Sequence, residues 1–464
     1  MFVGREKELS DLNSRYERGC FEFAVIYGRR RVGKTTIINE FVKDKECIVY
    51  TATETNEKQN LTNISQSIYA LSDEFKESNA VFDSFRDAFE TVFRMGERRR
   101  IVFVIDEYPY LAECSKGLSS VLQLCIDKYK DTSKVFLILC GSSMSFMENQ
   151  VMGYKSPLYG RRTCQYKIRP FDFFETTSFY SRFKPNDLAV IYGITGGIPL
   201  YLSMMNDKKS VEQNIKQNFL TPNAYLYEEP QNLIKQECRD ASQYNSIISA
   251  IASGATRVSE ICSKTGTDSS LTSNYLSKLI GLGIVKRETA FGAKNDKKSI
   301  YTIEDLMFRF WYRFVQDNTS IINRGLADVV YNKIEPHLTE FMGSVFEEIC
   351  IQYMWRQLIN GKSAVQFTDI GRWWGSDPRT KQQAEIDIVG SAGTTMIFGE
   401  CKWRNEKTDV SVLNALIDKS GIFSVNDKVY YLFSKSGYTK GCLEKAESMD
   451  NVTLVTYNDI IQSL

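Results

Sequence analysis

Directly after an apolar run at residues 23–27 comes Gly28-Arg29-Arg30-Arg31-Val32-Gly33-Lys34-Thr35-Thr36, a segment that leaves the backbone little choice. The pattern predicts a buried strand, a glycine-bounded loop and a helix over residues 36–42. In such a loop the backbone N–H groups turn inward around phosphate oxygens. Lys34 then supplies a point charge to the β- and γ-phosphates, and the Thr35 hydroxyl is placed to ligate Mg²⁺. A loop of this kind binds a nucleoside triphosphate.

Two further apolar runs extend the pattern. Residues 101–105 end in Asp106-Glu107, so the strand end sets Asp106 near Mg²⁺ and Glu107 where it can polarise a water. Phosphoryl transfer is mostly positioning and charge neutralisation, and these are the parts it needs beside a lysine. Residues 135–140 end in Gly141-Ser142-Ser143, which makes Ser142 the candidate to sense a γ-phosphate. Three continuous apolar runs separated by helical stretches predict an α/β fold with a parallel sheet buried on both faces. Leu61, Ile64, Ile68 and Leu71, then Phe82, Phe85, Phe89 and Val92, recur at three or four residues and read as the core faces of intervening helices.

A chain of 464 residues exceeds what one hydrophobic core supports, so about two to four domains are expected. A net charge of +1 excludes a uniformly basic nucleic-acid sleeve. Eleven scattered cysteines without a CxxC pair, and a single histidine, argue against a zinc site and fit reduced thiols in the cytoplasm. The longest apolar runs are too short to span a bilayer, so no membrane partner is expected.

Several segments together carry a family resemblance: Phe2-Val3-Gly4-Arg5-Glu6, the Lys34 loop, the Asp106-Glu107 strand, Cys140 to Ser143, Tyr159-Gly160-Arg161 and Thr195-Gly196-Gly197-Ile198-Pro199-Leu200. Over roughly residues 1–240 the chain resembles prokaryotic, archaeal-type P-loop ATPases of the STAND branch, relatives of AAA+ proteins. The resemblance implies ATP and Mg²⁺ as ligands. It puts Arg5 near the adenine and ribose, and Pro199 over the base from a helical lid. Arg161 is similar in placement to an arginine that reaches a γ-phosphate, in cis or across a homo-oligomer interface. Both arrangements stay open, as does the choice between Arg161 and Arg162.

From residue 246 the character changes to short helices, at 247–252, around 258–262 and over 269–280, then two strands at 284–288 and 298–303. This is the order of a winged helix-turn-helix. In a nucleic-acid reader the third helix offers Ser270, Thr272, Ser273, Asn274 and Lys278 to a groove, while Lys294, Lys297 and Lys298 at the wing tip touch phosphates. Residues 255–300 hold eight Lys or Arg against four Asp or Glu, a mild tilt toward nucleic acid, with DNA ahead of RNA. The aromatic run Phe310-Trp311-Tyr312 reads as a packing spine.

After a helix carrying Phe346-Glu347-Glu348, residues 385–390 read as a strand, 391–394 as a turn and 396–402 as its hairpin partner. Period-two alternation puts Glu400 and Lys402 on one face, and the hairpin brings Asp387 opposite them. Carboxylates and an ammonium so gathered can hold Mg²⁺ and orient a water toward a phosphodiester. The Asp, then Glu-x-Lys order resembles the PD-(D/E)xK restriction-endonuclease-like superfamily, and the resemblance implies that Glu347 is the helix-borne acid of that site. Trp403 and the Phe310 run match the carboxy-terminal domain that commonly follows this ATPase type. His337, beside Pro336, reads as a packing residue.

The expected organisation is a P-loop ATPase core at 1–170, a helical lid at 171–240, a winged helix at 241–315 and a nuclease-like α/β domain at 316–464. The leading expectation for function is an ATPase switch acting on nucleic acid, with a Mg²⁺-dependent endonuclease as its output. The alternative is a nucleotide-gated signalling or scaffold protein whose last domain cuts nothing.

Overall fold

A strand with no polar alternation is stable only when both of its faces are covered. In a computed structural model, which describes residues 2–71, 80–293 and 299–463, that is how the first strands are arranged. β1 (Glu22–Tyr27), β2 (Cys47–Thr51), β3 (Val102–Asp106), β4 (Phe136–Gly141) and β5 (Cys164–Lys167) form one parallel sheet in the order β2-β3-β4-β1-β5. Every residue of β1, β3 and β4 is buried. Phe23 and Val25 pack with Phe89, Phe93, Leu122 and Ile126 on one face; Ala24 and Ile26 pack with Ile37, Ile38 and Phe41 on the other. This sheet belongs to the first of two compact units, Met1–Pro170 with Ile198–Leu200.

The second unit comprises Phe171–Gly197 and Tyr201–Leu464. Its winged helix has helices Ala241–Ala252, Val258–Thr265 and Ser269–Gly281, followed by the antiparallel pair β6 (Val285–Glu288) and β7 (Ile300–Ile303). The second helix stops at Gly266, whose φ of 69° suits glycine, and the Asp268 side chain caps the third. Lys294, Lys297 and Lys298 lie outside the described residues. The Leu306–Phe314 helix buries Phe308, Phe310, Trp311 and Tyr312, and the Trp311 indole N–H donates to the Tyr227 carbonyl at 2.8 Å.

The carboxy-terminal part packs the 33-residue helix Ala327–Ile359 against a mixed sheet. β8 (Asp369–Ser376), β9 (Gln383–Ala392), β10 (Thr395–Lys402), β11 (Asp427–Ser434) and β12 (Val452–Thr456) lie in the order β12-β11-β10-β9-β8. β10, β11 and β12 are parallel, and β9 runs antiparallel to β8 and β10. The predicted β9–β10 hairpin is present and tighter than expected: Ala392 faces Thr395, so the turn is Gly393-Thr394, with Gly393 at φ 63°. Among the described residues no helix is long and apolar enough to cross a membrane.

Candidate nucleotide site and carboxylate cluster

The carboxyl ends of β1, β3 and β4 are adjacent, the crevice where open parallel sheets bind ligands. Gly28 (φ 153°) turns the chain out of β1 beneath β5; a Cβ there would sit 2.2 Å from the Ile168 carbonyl oxygen. Gly33 (φ 89°) starts the Lys34–Val42 helix. The buried Lys34 ammonium folds back over the loop and donates to the carbonyls of Gly28 and Arg29, both at 2.9 Å. Burial pushes its pKa down, against the pull of Glu107 and Asp106. The Thr35 hydroxyl donates to Asp106 Oδ2 at 3.0 Å, and Asp106 Oδ1 accepts the Glu107 N–H at 2.9 Å. Glu107 holds a left-handed backbone (φ 50°), and its Oε2 accepts the Ser142 hydroxyl at 2.9 Å and the Ser142 N–H at 3.3 Å. One hydrogen-bonded chain thus runs Thr35, Asp106, Glu107, Ser142 across three strand ends. The Thr35 and Asp106 oxygens are a hard donor set that fits Mg²⁺.

The rest of the loop is braced from below and from the side. Val32 is fully buried, and its carbonyl accepts Arg5 Nη2 at 3.5 Å; the same guanidinium bonds the Arg169 carbonyl. Arg29 is buried, Arg31 has φ 71°, and Thr36 is exposed beside Thr35. Arg30 Nη2 donates to the Tyr110 hydroxyl at 3.1 Å. Pro199 Cγ lies 3.8 Å from where a Gly33 Cβ would be, so the Gly-Ile-Pro turn does reach the loop.

At the other end of the chain, β9 and β10 are in register through Gly399↔Ile388, which sets Asp387 across from Glu400. Asp387 Oδ2 accepts the Cys401 N–H at 2.9 Å. Glu400, 7% exposed, accepts Lys402 Nζ at 2.6 Å and Lys419 Nζ at 3.3 Å. Pairing of β9 with β8 slips by one residue: Gly371 faces Val389 but Trp373 faces Ile386, so Asp387 and Ile388 together oppose Arg372. A bulge of this kind re-aims side chains, and Ile386 and Val389, three apart, accordingly share one hydrophobic cluster. Burial, then the neighbouring Glu400, raise the Asp387 carboxyl to about 6. Burial, then Asp387, raise Glu347 to about 7, with Arg372 opposing. Burial would lower the Lys402 ammonium, but Glu400 outweighs it and holds the pKa above its ordinary value.

The expected metal set of Asp387, Glu400 and Glu347 does not close. Among the described residues no three His, Cys, Asp or Glu side chains gather to hold a metal ion. Asp387 lies near both Glu400 and Glu347, and Glu347 also has its Oε2 3.5 Å from Arg372 Nε. As arranged, these residues do not fit Mg²⁺.

Residues 2–205 match a family described as an ATPase domain predominantly from Archaea. An uncharacterized protein of Methanocaldococcus jannaschii is 31% identical over 443 residues, which cover 94% of this chain and 96% of the relative. The chain belongs to this family of archaeal-type P-loop ATPases. An uncharacterized ATP-binding protein of the same organism is 41% identical over 46 residues, 10% of this ATPase and 78% of the relative. Among solved structures, the Walker-type ATPase of Pyrococcus abyssi is similar with a TM-score of 0.51 at 20% identity, covering 67% of this chain and 96% of that one, a likeness of fold. Residues 245–287 match the arsR family of bacterial regulatory proteins, and residues 311–413 match archaeal and bacterial proteins of unknown function.

Elsewhere in this ATPase, Thr272 and His337 sit differently from expectation, and Arg161 is engaged away from the phosphate loop of its own chain. Arg161 grips Asp127 with two bonds of 2.8 and 2.7 Å and also donates to the Pro157 and Tyr159 carbonyls; none of these partners is in the phosphate loop. Thr272 is fully buried and accepts a bond from Cys262 Sγ, which removes it from the outer face where Ser270, Ser273 and Asn274 are exposed. His337 is exposed rather than packed. Tyr110, Lys419 and Arg372 were not foreseen. Tyr110 lies three residues past Glu107, a signal of sorts; the other two meet their partners only through tertiary pairing.

Proposed function

We propose that this ATPase is an ATP-hydrolysing switch that acts on nucleic acid, DNA before RNA. The observation that carries the reading is the bonded chain from Thr35 through Asp106 and Glu107 to Ser142, beside a lysine buried in the loop. Lys34 and the loop N–H groups bind the phosphates, Thr35 and Asp106 hold Mg²⁺, and Glu107 orients the water that attacks the γ-phosphorus. Bound Mg²⁺ supplies charge neutralisation on the β- and γ-oxygens. Pro199 against the loop supports a base-side closure. The winged helix with its exposed Ser270, Ser273 and Asn274 supports a groove contact. ATP can drive such a switch only by binding one arrangement better than another. Phosphate release and equilibrium binding with purified full-length protein test the reading. Lys34→Ala should lose ATP binding; Glu107→Gln should keep it and slow hydrolysis. Tight binding retained by Lys34→Ala would sink the loop assignment.

The output proposed for the last domain is phosphodiester cleavage, supported by Asp387 lying beside Glu400 and by the Glu400–Lys402 ion pair on the adjoining strand. The engagement of Glu347 by Arg372 supports the competing scaffold reading. Incubation with DNA and RNA in Mg²⁺ or Mn²⁺ separates them. Cleavage lost in Asp387→Ala and Lys402→Ala supports a nuclease; no cleavage under any condition supports the scaffold.

A further inference from the structure

We propose that a cavity between the winged helix and the carboxy-terminal sheet is a binding site for a small organic anion, one oxyanion head on a ring or apolar body. The cavity has a volume of about 430 Å³, within the range of small-molecule sites. Among the described residues, none of those lining it belongs to the phosphate loop, and Asp387, Glu400 and Lys402 do not line it either.

The walls come from the winged helix, the Leu306–Phe314 helix, the Ala327–Ile359 helix and β8. One side is apolar: Ile251, Ile303, Ile351 and Ile370 with the Tyr301 ring. Such a wall favours a ring or an aliphatic body, which it removes from water. Four cations and three carboxylates also line the cavity, a surplus of one positive charge. Two of the cations are spent on two of the carboxylates. Lys286 bonds Glu288 at 2.6 Å, and Arg309 bonds Glu348 at 3.0 Å as well as the Ile303 carbonyl and the Ser344 hydroxyl.

Arg372 and Arg313 are the cations with capacity left. Arg372 pairs with Glu385 and has Glu347 3.5 Å from its Nε, yet that Nε is buried and makes no hydrogen bond. A buried donor in that state calls for an acceptor, and an oxyanion in the cavity supplies one. Arg313 pairs at 3.0 Å with Glu340, which is 71% exposed, so this bond exchanges at little cost. Two guanidinium groups offer charge-assisted hydrogen bonds to one carboxylate or phosphate head. The carboxylates of the lining set the upper limit on charge: a triphosphate or a nucleic-acid strand is too anionic for a surplus of one. A ligand held by Arg372 bridges β8 to the wing, where the Phe291 N–H already donates to the Arg372 carbonyl at 2.8 Å. Occupancy therefore ties the winged helix to the carboxy-terminal sheet, which makes the ligand an effector of whatever the winged helix binds.

The test is calorimetric titration of full-length protein carrying Lys34→Ala in every sample, so that the phosphate loop takes no part. The probes are adenosine monophosphate and phenylacetate, each a ring with one oxyanion head, beside inorganic phosphate and acetate as heads alone. At least one ring-bearing probe should bind with a Kd below about 1 mM, and about tenfold tighter than its bare head. Adenosine monophosphate alone marks a phosphate-headed ligand, phenylacetate alone a carboxylate-headed one, and both together a site that reads charge and shape; each supports the proposal. Arg372→Gln and Arg313→Gln should each weaken that binding about tenfold, the loss expected for one hydrogen bond to a charged group. Arg313 is exposed, so its variant keeps the test open should Arg372→Gln fail to fold. Binding by neither ring-bearing probe overturns the site. Binding that Arg313→Gln leaves unchanged belongs elsewhere on the protein and overturns it equally, as do bare heads that bind as tightly as the ring-bearing probes.

Discussion

A residue that orients a water must itself be held still, and Glu107 is held by Ser142 through both its hydroxyl and its N–H. Its left-handed backbone, costly for a residue with a Cβ, points the same way: the end of β3 is strained to aim this carboxylate. In the proposed reading Ser142 therefore acts through Glu107. Ser142→Ala removes one hydrogen bond to a charged group and keeps the N–H, a loss of about 1.5 kcal/mol. It should therefore lower kcat roughly tenfold while leaving ATP affinity nearly unchanged. A steady-state phosphate-release assay beside an equilibrium titration checks this; equal losses in both would mean that Ser142 holds the nucleotide, not the glutamate.

At the scale of elements, the bulge in β9 sets the electrochemistry of the carboxy-terminal sheet. It leaves Asp387 near both Glu400 and Glu347, and burial raises Asp387 to about 6 and Glu347 to about 7. Both values exceed those of an unfolded chain, so between about pH 4 and pH 7 these two groups bind more protons in the native state than in the unfolded one. Their contribution to stability then falls as pH rises through that window and levels off above it. All five tryptophans lie between residues 311 and 403, so their fluorescence reports this part of the chain. The urea midpoint should be higher at pH 5 than at pH 8, and Asp387→Asn should flatten the difference; a midpoint independent of pH in the wild type would contradict it. Strands β1, β3, β4, β9 and β10 were legible in the sequence because apolar continuity or alternation is a local signal. The bulge was not, since it exists only as a mismatch of register between two strands. Arg372 and Lys419 were invisible for a related reason: ion pairs across 13 to 25 residues of chain leave no spacing to read. The Ala327–Ile359 helix runs through Pro336, a residue that ordinarily kinks or breaks a helix interior.

For the whole molecule, the phosphate loop belongs to one compact unit and the winged helix and carboxylates to the other. If ATP governs what the second unit does to nucleic acid, the two ligands are linked, and linkage is reciprocal. A non-hydrolysable ATP analogue that changes duplex affinity by some factor obliges the duplex to change analogue affinity by the same factor. Coupling of ordinary strength makes that factor at least about five. It should vanish in Lys34→Ala, which keeps the winged helix intact but cannot hold the analogue. It should survive Glu107→Gln, since hydrolysis is not needed for a binding equilibrium. Fluorescence anisotropy of a labelled duplex with and without analogue, and the converse titration, give both factors independently. Duplex binding with both factors at one would leave the ATPase and the nucleic-acid surface as separate functions of one chain and would end the switch reading. Unequal factors would mean that one titration reports a mixture of assembly states.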